Sequence, residues 1–425
     1  MNCKLEDGRR CGNGRQAENR VKRGGQFVRT AGVWLAWAAC ALLVLAPAPP
    51  AMAWQHQQHV ERDGHGWMQV STGPLASEKV LQVTHFVGSV QVVTGAQSGG
   101  YILRLHSREP IEKDAGKQFA NFHLGVGRRS GEILIQTVGP VELAVNAELI
   151  IQLPLATETV HVDTMGGKIT IHGKVNRLDL QTHGADIELD DADQLRAETM
   201  GGSVTVNHRL GDSFIRNGGG DIRVDASVGD LEIVSLGGNI WLKAIAKGRV
   251  QSGGGNIEVV RCAGSLMVRT AGGNINLGEM GGAVTAETGG GSIHVGVAHG
   301  AVIASTALGN IALWKLSQGA QAHTGMGRIT AEFVGDRNSM RESELVTSMG
   351  DIVVYFAAAV PANLHAVIGS SPTKHIVSEF PELKISNGSA DYGPRSIIAD
   401  GAIHGGGPVI ELRTLVGQIE LRNVK

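Results

Sequence analysis

Gly237-Gly238-Asn239-Ile240-Trp241-Leu242, Gly254-Gly255-Asn256-Ile257-Glu258-Val259 and Gly272-Gly273-Asn274-Ile275-Asn276-Leu277 are three copies of one phrase. Each has two glycines, a small polar residue, then alternating aliphatics, and the phrase returns about every 18 residues. Earlier copies stand at Gly166-Gly167-Lys168-Ile169, Gly201-Gly202-Ser203-Val204 and Gly219-Gly220-Asp221-Ile222, and a later one at Gly290-Gly291-Ser292-Ile293. Degenerate copies follow the same plan at Ala185-Asp186-Ile187, Gly309-Asn310-Ile311, Gly327-Arg328-Ile329, Gly350-Asp351-Ile352 and Gly417-Gln418-Ile419. A repeat this short is one supersecondary unit, and it buries a core only by stacking on its neighbours.

With the second glycine as position zero, positions +2 and +4 are aliphatic, as in Ile222 and Val224 or Ile275 and Leu277. Upstream, positions −7 and −5 are apolar too, as in Leu231 and Ile233 or Val284 and Ala286. Period-two alternation is the mark of a strand with one buried face. Each unit therefore reads as two short strands joined by a turn. Gly167, Gly202, Gly220, Gly238, Gly255, Gly273 and Gly291 are expected to supply positive φ there.

Position −3 is the sharpest column: Thr164, Thr182, Thr199, Asn217, Ser235, Ser252, Thr270, Thr288, Thr306 and Thr324, continued by Thr347 and Thr414. Strand propensity alone would admit Val and Ile there. Parity points the column inward, where a hydroxyl or amide needs a partner. The expectation is a polar ladder bonding turn backbone and neighbouring ladder side chains. Outward position +3 mixes Thr170, Glu188, Arg223, Trp241, Glu258 and His294. No single-sign stripe forms, so no nucleic-acid footprint is present. Trp241 reads as a surface packing residue rather than a sugar platform.

The fold class predicted is all-β: a right-handed β-solenoid, or β-helix, of roughly 18-residue glycine-rich two-strand repeats with irregular capping ends. Ten such coils would rise about 48 Å at about 4.8 Å each. A coil of two units remains the alternative. The 60 glycines and the 4% of aromatics suit narrow aliphatic coils. The domain map is 1–53 export signal, 54–78 polar lead-in, 79–155 N-terminal β cap region, 156–335 core repeat array, and 336–425 C-terminal β repeats and cap with an irregular insertion.

The signal reading rests on a basic leader, an apolar run from Ala31 to Ala46 and the A-x-A pattern Ala51-Met52-Ala53, which would start the mature chain at Trp54. An uncleaved inner-membrane anchor is the alternative. The first 53 residues hold 8 basic and 3 acidic side chains, leaving 30 basic against 37 acidic beyond them, a net of −7. Of Cys3, Cys11, Cys40 and Cys262, only Cys262 follows the cleavage pattern, so stacking and not an intramolecular disulfide must hold the fold. It reads as a small buried side chain.

The run Ile150-Ile151-Gln152-Leu153-Pro154, then Val160-His161-Val162-Asp163-Thr164, then Gly166-Gly167-Lys168-Ile169-Thr170-Ile171 resembles the DUF4097 group of adhesin-like domains. The likeness recurs at Asp351-Ile352-Val353-Val354 with Pro361, and from Leu412 to Leu421. It covers about residues 80–420. The resemblance implies an exported or membrane-anchored β-solenoid and brings no catalytic residues with it.

Several chemistries find little in the residues. Calcium nonapeptides need a nine-residue period, and Asp follows the turn only at Asp186, Asp221 and Asp351. Polysaccharide cleavage would need clustered carboxylates on one face. Its candidates, Asp190, Asp191 and Asp193, read as a solvated acidic turn. His56 and His59 with His65 allow a metal by spacing but sit in a polar leader. There is no G-x-S-x-G elbow and no phosphate loop. The expected role is non-enzymatic, without cofactor or metal: an adhesin-like binding or structural protein of the bacterial envelope, periplasmic or on the cell surface. Its partner would be an envelope component, a glycan or a protein, with no nucleic acid. An envelope-stress accessory is the alternative, and a polysaccharide-active β-helix a further one.

Overall fold

The computed structural model describes residues 54–64, 66–138, 145–370, 375–387 and 396–424. The signal, its cleavage pattern and His65 lie outside the described residues. Among the described residues there is one helix, Glu112–Ala120, and all other extended regular structure is strand.

The repeat becomes two parallel ladders. On one, Ile240, Ile257, Ile275, Ile293, Ile311, Ile329 and Ile352 lie opposite one another in succession. On the other, Val250, Val268, Ala286, Ala304, Ala322 and Leu345 do the same. One strand from each ladder, with its glycine turn, makes a rung. Isoleucine and valine stack well on a pleated surface, and all thirteen of these residues are buried. The edge opposite the glycine turns is made by bulges. In Ile169–Thr182 the register shifts between Ile171 and Lys174, and in Ile222–Ser235 between Ser227 and Asp230. From Ile257–Cys262 onward the strand breaks there, and Cys262, Met280, Ala298 and Leu316 turn back inside. Cys262 is thus buried and free, as its sequence position implies, and burial pushes its thiol pKa up despite a hydrogen bond with Gly264.

The few aromatic side chains gather at the ends of this aliphatic interior. Phe86 meets Phe122 edge-on at 6.2 Å. At the other end Phe333 stacks on Phe356 at 5.7 Å, and Phe380 stands edge-on to Phe356 at 5.7 Å. These rings fill the core near its two ends, where the chain leaves the regular repeat.

At both ends, order in space departs from order in sequence. Val80–Phe86 lies between Glu132–Val138 and Thr159–Thr164, and Ser89–Ala96 between Val145–Pro154 and the strand beginning at Ile169. At the far end, Val409–Val416 slots between Ser343–Met349 and Ala362–Ile368. The final repeat copy, at Gly417-Gln418-Ile419, therefore belongs to an interior rung. The outermost strand on that side is Lys384–Asn387, paired antiparallel with Ile397–Ile403, which pairs antiparallel with Ala362–Ile368. Strands occupy described residues of both the polar lead-in and the irregular C-terminal insertion: the antiparallel pair Gln57–Asp63 and Gly66–Pro74 in the first, and Ile376–Ser378 with the two strands just named in the second.

The glycine columns are occupied for a different reason than expected. Of the seven turn glycines named from sequence, only Gly238 has positive φ, at 72°. The others are forced by proximity. A Cβ on Gly167 would stand 1.7 Å from the Gly88 carbonyl oxygen, on Gly202 1.9 Å from that of Ala185, and on Gly220 2.4 Å from that of Gly202. For Gly255, Gly273 and Gly291 the distances to the preceding turn's carbonyl oxygen are 1.6, 2.1 and 2.0 Å. The first glycine of the turn, such as Gly254, meets nothing within 4 Å. Gly255→Ala is expected to cost about 1–3 kcal/mol as backbone is forced apart, whereas Gly254→Ala should change stability by less than about 1 kcal/mol. Urea unfolding of the pair tests this, and equal losses would refute the close-approach reason.

Candidate binding surface

The inward column at position −3 is a ladder of side chain to backbone bonds. Thr288 Oγ1 accepts from the Gly291 N–H at 3.2 Å and donates to the Gly273 carbonyl, one rung back, at 2.9 Å. Thr270 does the same with Gly273 and Gly255, Thr306 with Gly309 and Gly291, and Thr199 with Gly202 and Ala185. Thr182, Thr324, Thr347 and Thr414 each donate to the preceding turn, and Thr164 to its own. Asn217 holds two turns at once: its amide N donates to Gly202 and Gly220, and its oxygen accepts from the N–H groups of Gly219 and Gly220. Ser235 donates to Gly237, and Ser252 accepts from Gly254 and Gly255. The partners named here are turn backbone, not neighbouring ladder side chains as the sequence reading also expected.

A second ladder runs outside the first, at position +1. Asp186 Oδ1 accepts from the Ser203 N–H, Asp221 Oδ1 from Asn239, Asn239 Oδ1 from Asn256, and Asn256 Oδ1 from Asn274. Asn274 continues to Ser292, Ser292 to Asn310, Asn310 to Arg328, and Asp351 to Gln418, at 2.8–3.2 Å. The sequence reading weighed this column only for calcium. Its run of Asx and Ser was the available signal, since short side chains of that kind bond neighbouring backbone.

Large aliphatic side chains are exposed along this glycine edge. Met326 lies opposite Met349 and Met349 opposite Val416, and the three are 46–52% exposed. Leu308, one rung earlier, is 57% exposed. Met165, Met200 and Leu236 are exposed on earlier turns. A line of this kind is a feature of interaction surfaces.

The outward face carries paired charge. Lys168 Nζ lies 2.7 Å from Glu188 Oε2, His172 Nδ1 3.6 Å from Asp190 Oδ2, His208 Nδ1 3.3 Å from Asp191 Oδ2, and Lys174 Nζ 3.0 Å from Asp193 Oδ2. Asn207 donates to both Glu188 and Asp190. The bulge backbone is held by the same acids: Gly173 N–H donates to Asp190 and Arg209 N–H to Asp191. Of the three aspartates singled out in sequence, Asp190 and Asp191 thus cap the bulge edge and lie beside histidines, and Asp193 pairs with Lys174. The Lys168 hydrogen bond holds the Glu188 pKa below its ordinary value, with Asn207 adding to it. Burial alone would push Asp190 up, but the Gly173 N–H, the Asn207 amide and the charges of His172 and His208 outweigh it and hold it below its ordinary value.

Of the remaining sequence candidates, Trp241 lies in the same outward column as Glu188, three strands on. His59 lies 4.0 Å from Glu61, and no group of three or more His, Cys, Asp or Glu among the described residues could hold a metal. The guanidinium of Arg223 lies over the Trp241 ring, 4.1 Å from its centroid, so one face of that ring is covered.

No family model matches the chain, and no curated protein matches it. Among solved structures, it is similar to a "putative adhesin" from Bacteroides fragilis at 10% identity and TM-score 0.19, covering 84% of this chain and 97% of that one. Another adhesin of that description, from Parabacteroides merdae, gives 8% identity and TM-score 0.22 over 84% and 96%. A "putative lipid binding protein" from Parabacteroides distasonis gives 12% and 0.24 over 68% and 96%. Scores this low decide neither the fold nor the role of this chain, which rest on its own geometry.

Thr288→Val, which strips two bonds from buried backbone, is expected to cost about 1–3 kcal/mol, while Thr288→Ser should recover most of it. Equal losses in urea unfolding would remove the hydroxyl from the account. Glu188 and Asp190 titrate lower folded than unfolded, so the stability they contribute is present above about pH 4 and is lost as pH falls through the folded values. Asp190→Asn should therefore shrink the loss of stability between about pH 6 and about pH 3. An unchanged loss would exclude Asp190 from the acid response.

Proposed function

We propose that this chain is an exported, non-catalytic binding or structural protein of the bacterial cell envelope, adhesin-like in presenting a rigid face, and built as a right-handed β-solenoid with one unit of roughly 18 residues per coil. The observation that carries this reading is the division of labour within the rung. The repeated residues are spent on the core and on backbone bonds, while the outward positions change from rung to rung on two parallel ladders. Such a surface is preformed, so a partner meets it without an ordering cost. The register of Ile257, Ile275 and Ile293 supports one unit per coil, and right-handedness follows the general rule for parallel crossovers. No helix of the described residues is long and apolar enough to cross a membrane. The sequence resemblance to the DUF4097 group adds to the reading, and the basic leader with its A-x-A pattern supports a mature start at Trp54.

Fractionation of bacteria expressing the tagged chain, with mass spectrometry of its N-terminus, tests the export half. A chain beginning at Trp54 in the periplasm, on the surface or in the medium is expected, and an unprocessed cytoplasmic chain would overturn it. Purified residues 54–425 should be retained on isolated cell envelopes and release no reducing ends from envelope polysaccharide. Release of reducing ends would replace a binding protein with an enzyme.

A further inference from the structure

Near the C-terminal end, the outer face changes character. Trp314, Glu332, Tyr355 and Arg422 each lie five positions past the second glycine of their own turn, at Gly309, Gly327, Gly350 and Gly417. The ladder brings them together: Glu332 lies opposite Tyr355 and Tyr355 opposite Arg422, while the strand Ile311–Leu316 bearing Trp314 pairs with Ile329–Phe333. In the three preceding rungs the same column holds Val260, Gly278 and Gly296. The recess therefore begins where small side chains give way to rings.

The Trp314 and Tyr355 rings stand 6.2 Å apart, tilted by 30°. With Glu379 and Asn423 they line a cavity of about 320 Å³. That is the low end of the size range of small-ligand sites, and an aromatic lining with a few polar groups is their usual composition. The backbone is also unusual here. Lys315 adopts φ 47°, in the left-handed region, at the register shift between Leu313 and Leu316. Its counterparts Arg261, Glu279 and Val297 do not. Bulges re-aim side chains, and strained residues collect at ligand sites. The Lys315 N–H reaches Glu332 Oε2 at 3.4 Å, and the Asn423 N–H donates to Glu379 Oε2 at 2.9 Å.

The chemistry narrows the guest. The guanidinium of Arg422, paired with Glu420, opposes a cation. The carboxylates of Glu332 and Glu379 oppose an anion. What fits both is a neutral polyol with one apolar face. We propose that this recess binds a neutral pyranose unit of a glycan, its C–H face against the Trp314 and Tyr355 rings and its hydroxyls bonded to the carboxylates of Glu332 and Glu379 and to donors of Arg422 and Asn423. This rests on the chain being a binding protein, and it names one class of partner and its site. Trp241 makes the contrast, because its half-buried ring already has Arg223 as a partner.

The test uses residues 54–425 on an array of neutral hexose and N-acetylhexosamine hexasaccharides, followed by titration of the retained sugar. Trp314→Ala and Tyr355→Ser are expected to weaken binding about tenfold or more, as for truncated aromatic anchors, with Trp314→Phe staying within about threefold because the ring face remains. Affinity should change less than about twofold between 50 and 500 mM NaCl, since the contacts are uncharged on the ligand side. Circular dichroism and melting of each variant exclude loss of folding, and the Phe variant serves if an Ala variant fails to fold. Sugar binding untouched by all three substitutions would overturn the site while leaving a binding protein. Retention on envelopes without retention on any sugar would overturn the glycan. Competition by choline chloride in place of sugar would make the recess a site for quaternary ammonium.

Discussion

The carbonyl oxygen of one turn glycine sits where the next turn would place a Cβ. The rest of the rung is arranged around that approach. Because a Cβ on Gly255 would stand 1.6 Å from the Gly238 oxygen, successive turns stack without a side chain between them. Turn carbonyls are then near enough for a threonine one rung on to reach, and turn N–H groups near enough for the outer Asx column. Two hydrogen-bonded ladders thus flank one glycine column, which leaves little of the turn backbone unsatisfied. The isoleucine ladder fills the space behind, and its spacing is set by the same contact.

This arrangement separates what the repeat must keep from what it is free to vary. Position +5 faces outward throughout the array. It holds His172, Asp190 and Asn207 at one end, Val260, Gly278 and Gly296 in the middle, and Trp314, Glu332, Tyr355 and Arg422 at the other. One column therefore supplies both the ion-paired region that ties down the bulges and the aromatic recess. Neither region alters the core beneath it, where Leu277 and Leu313 occupy equivalent buried places.

Much of this was legible in the sequence, for identifiable reasons. Burial imposes period two, so the pairs at +2 and +4 and at −7 and −5 announce the two ladders. A hydroxyl in an apolar column announces its own hydrogen bonds, and Thr270, Thr288 and Thr306 make them. The reason for the glycines was misread, because proximity to a neighbouring backbone leaves the same mark on a sequence as positive φ. The hairpin at Gln57–Asp63 was missed because all seven residues of that strand are exposed, and backbone pairing alone leaves no alternation. The strands Lys384–Asn387 and Ile397–Ile403 were unreadable as repeats because they run antiparallel and carry no turn phrase. The recess was hidden by the longer stretch between the Gly327 and Gly350 turns, which breaks the roughly 18-residue spacing between Glu332 and Tyr355, and by attention to position +3 rather than +5.

The interleaved ends bear on how the chain is made. Val409–Val416 and Ile419–Asn423 form an interior rung, between strands whose residues precede them in the chain. On a ribosome or a translocation channel, the neighbours on both sides emerge first, yet cannot reach their final partners until those last residues arrive. The far end thus waits for residues 409–423, as a drawer waits for a middle slat, and the Phe333–Phe356–Phe380 cluster lacks the cover of that rung until then. The interleaving delays closure of that end until residues 409–423 are in place. It also buries the last complete rung where a second molecule cannot use it to extend the stack.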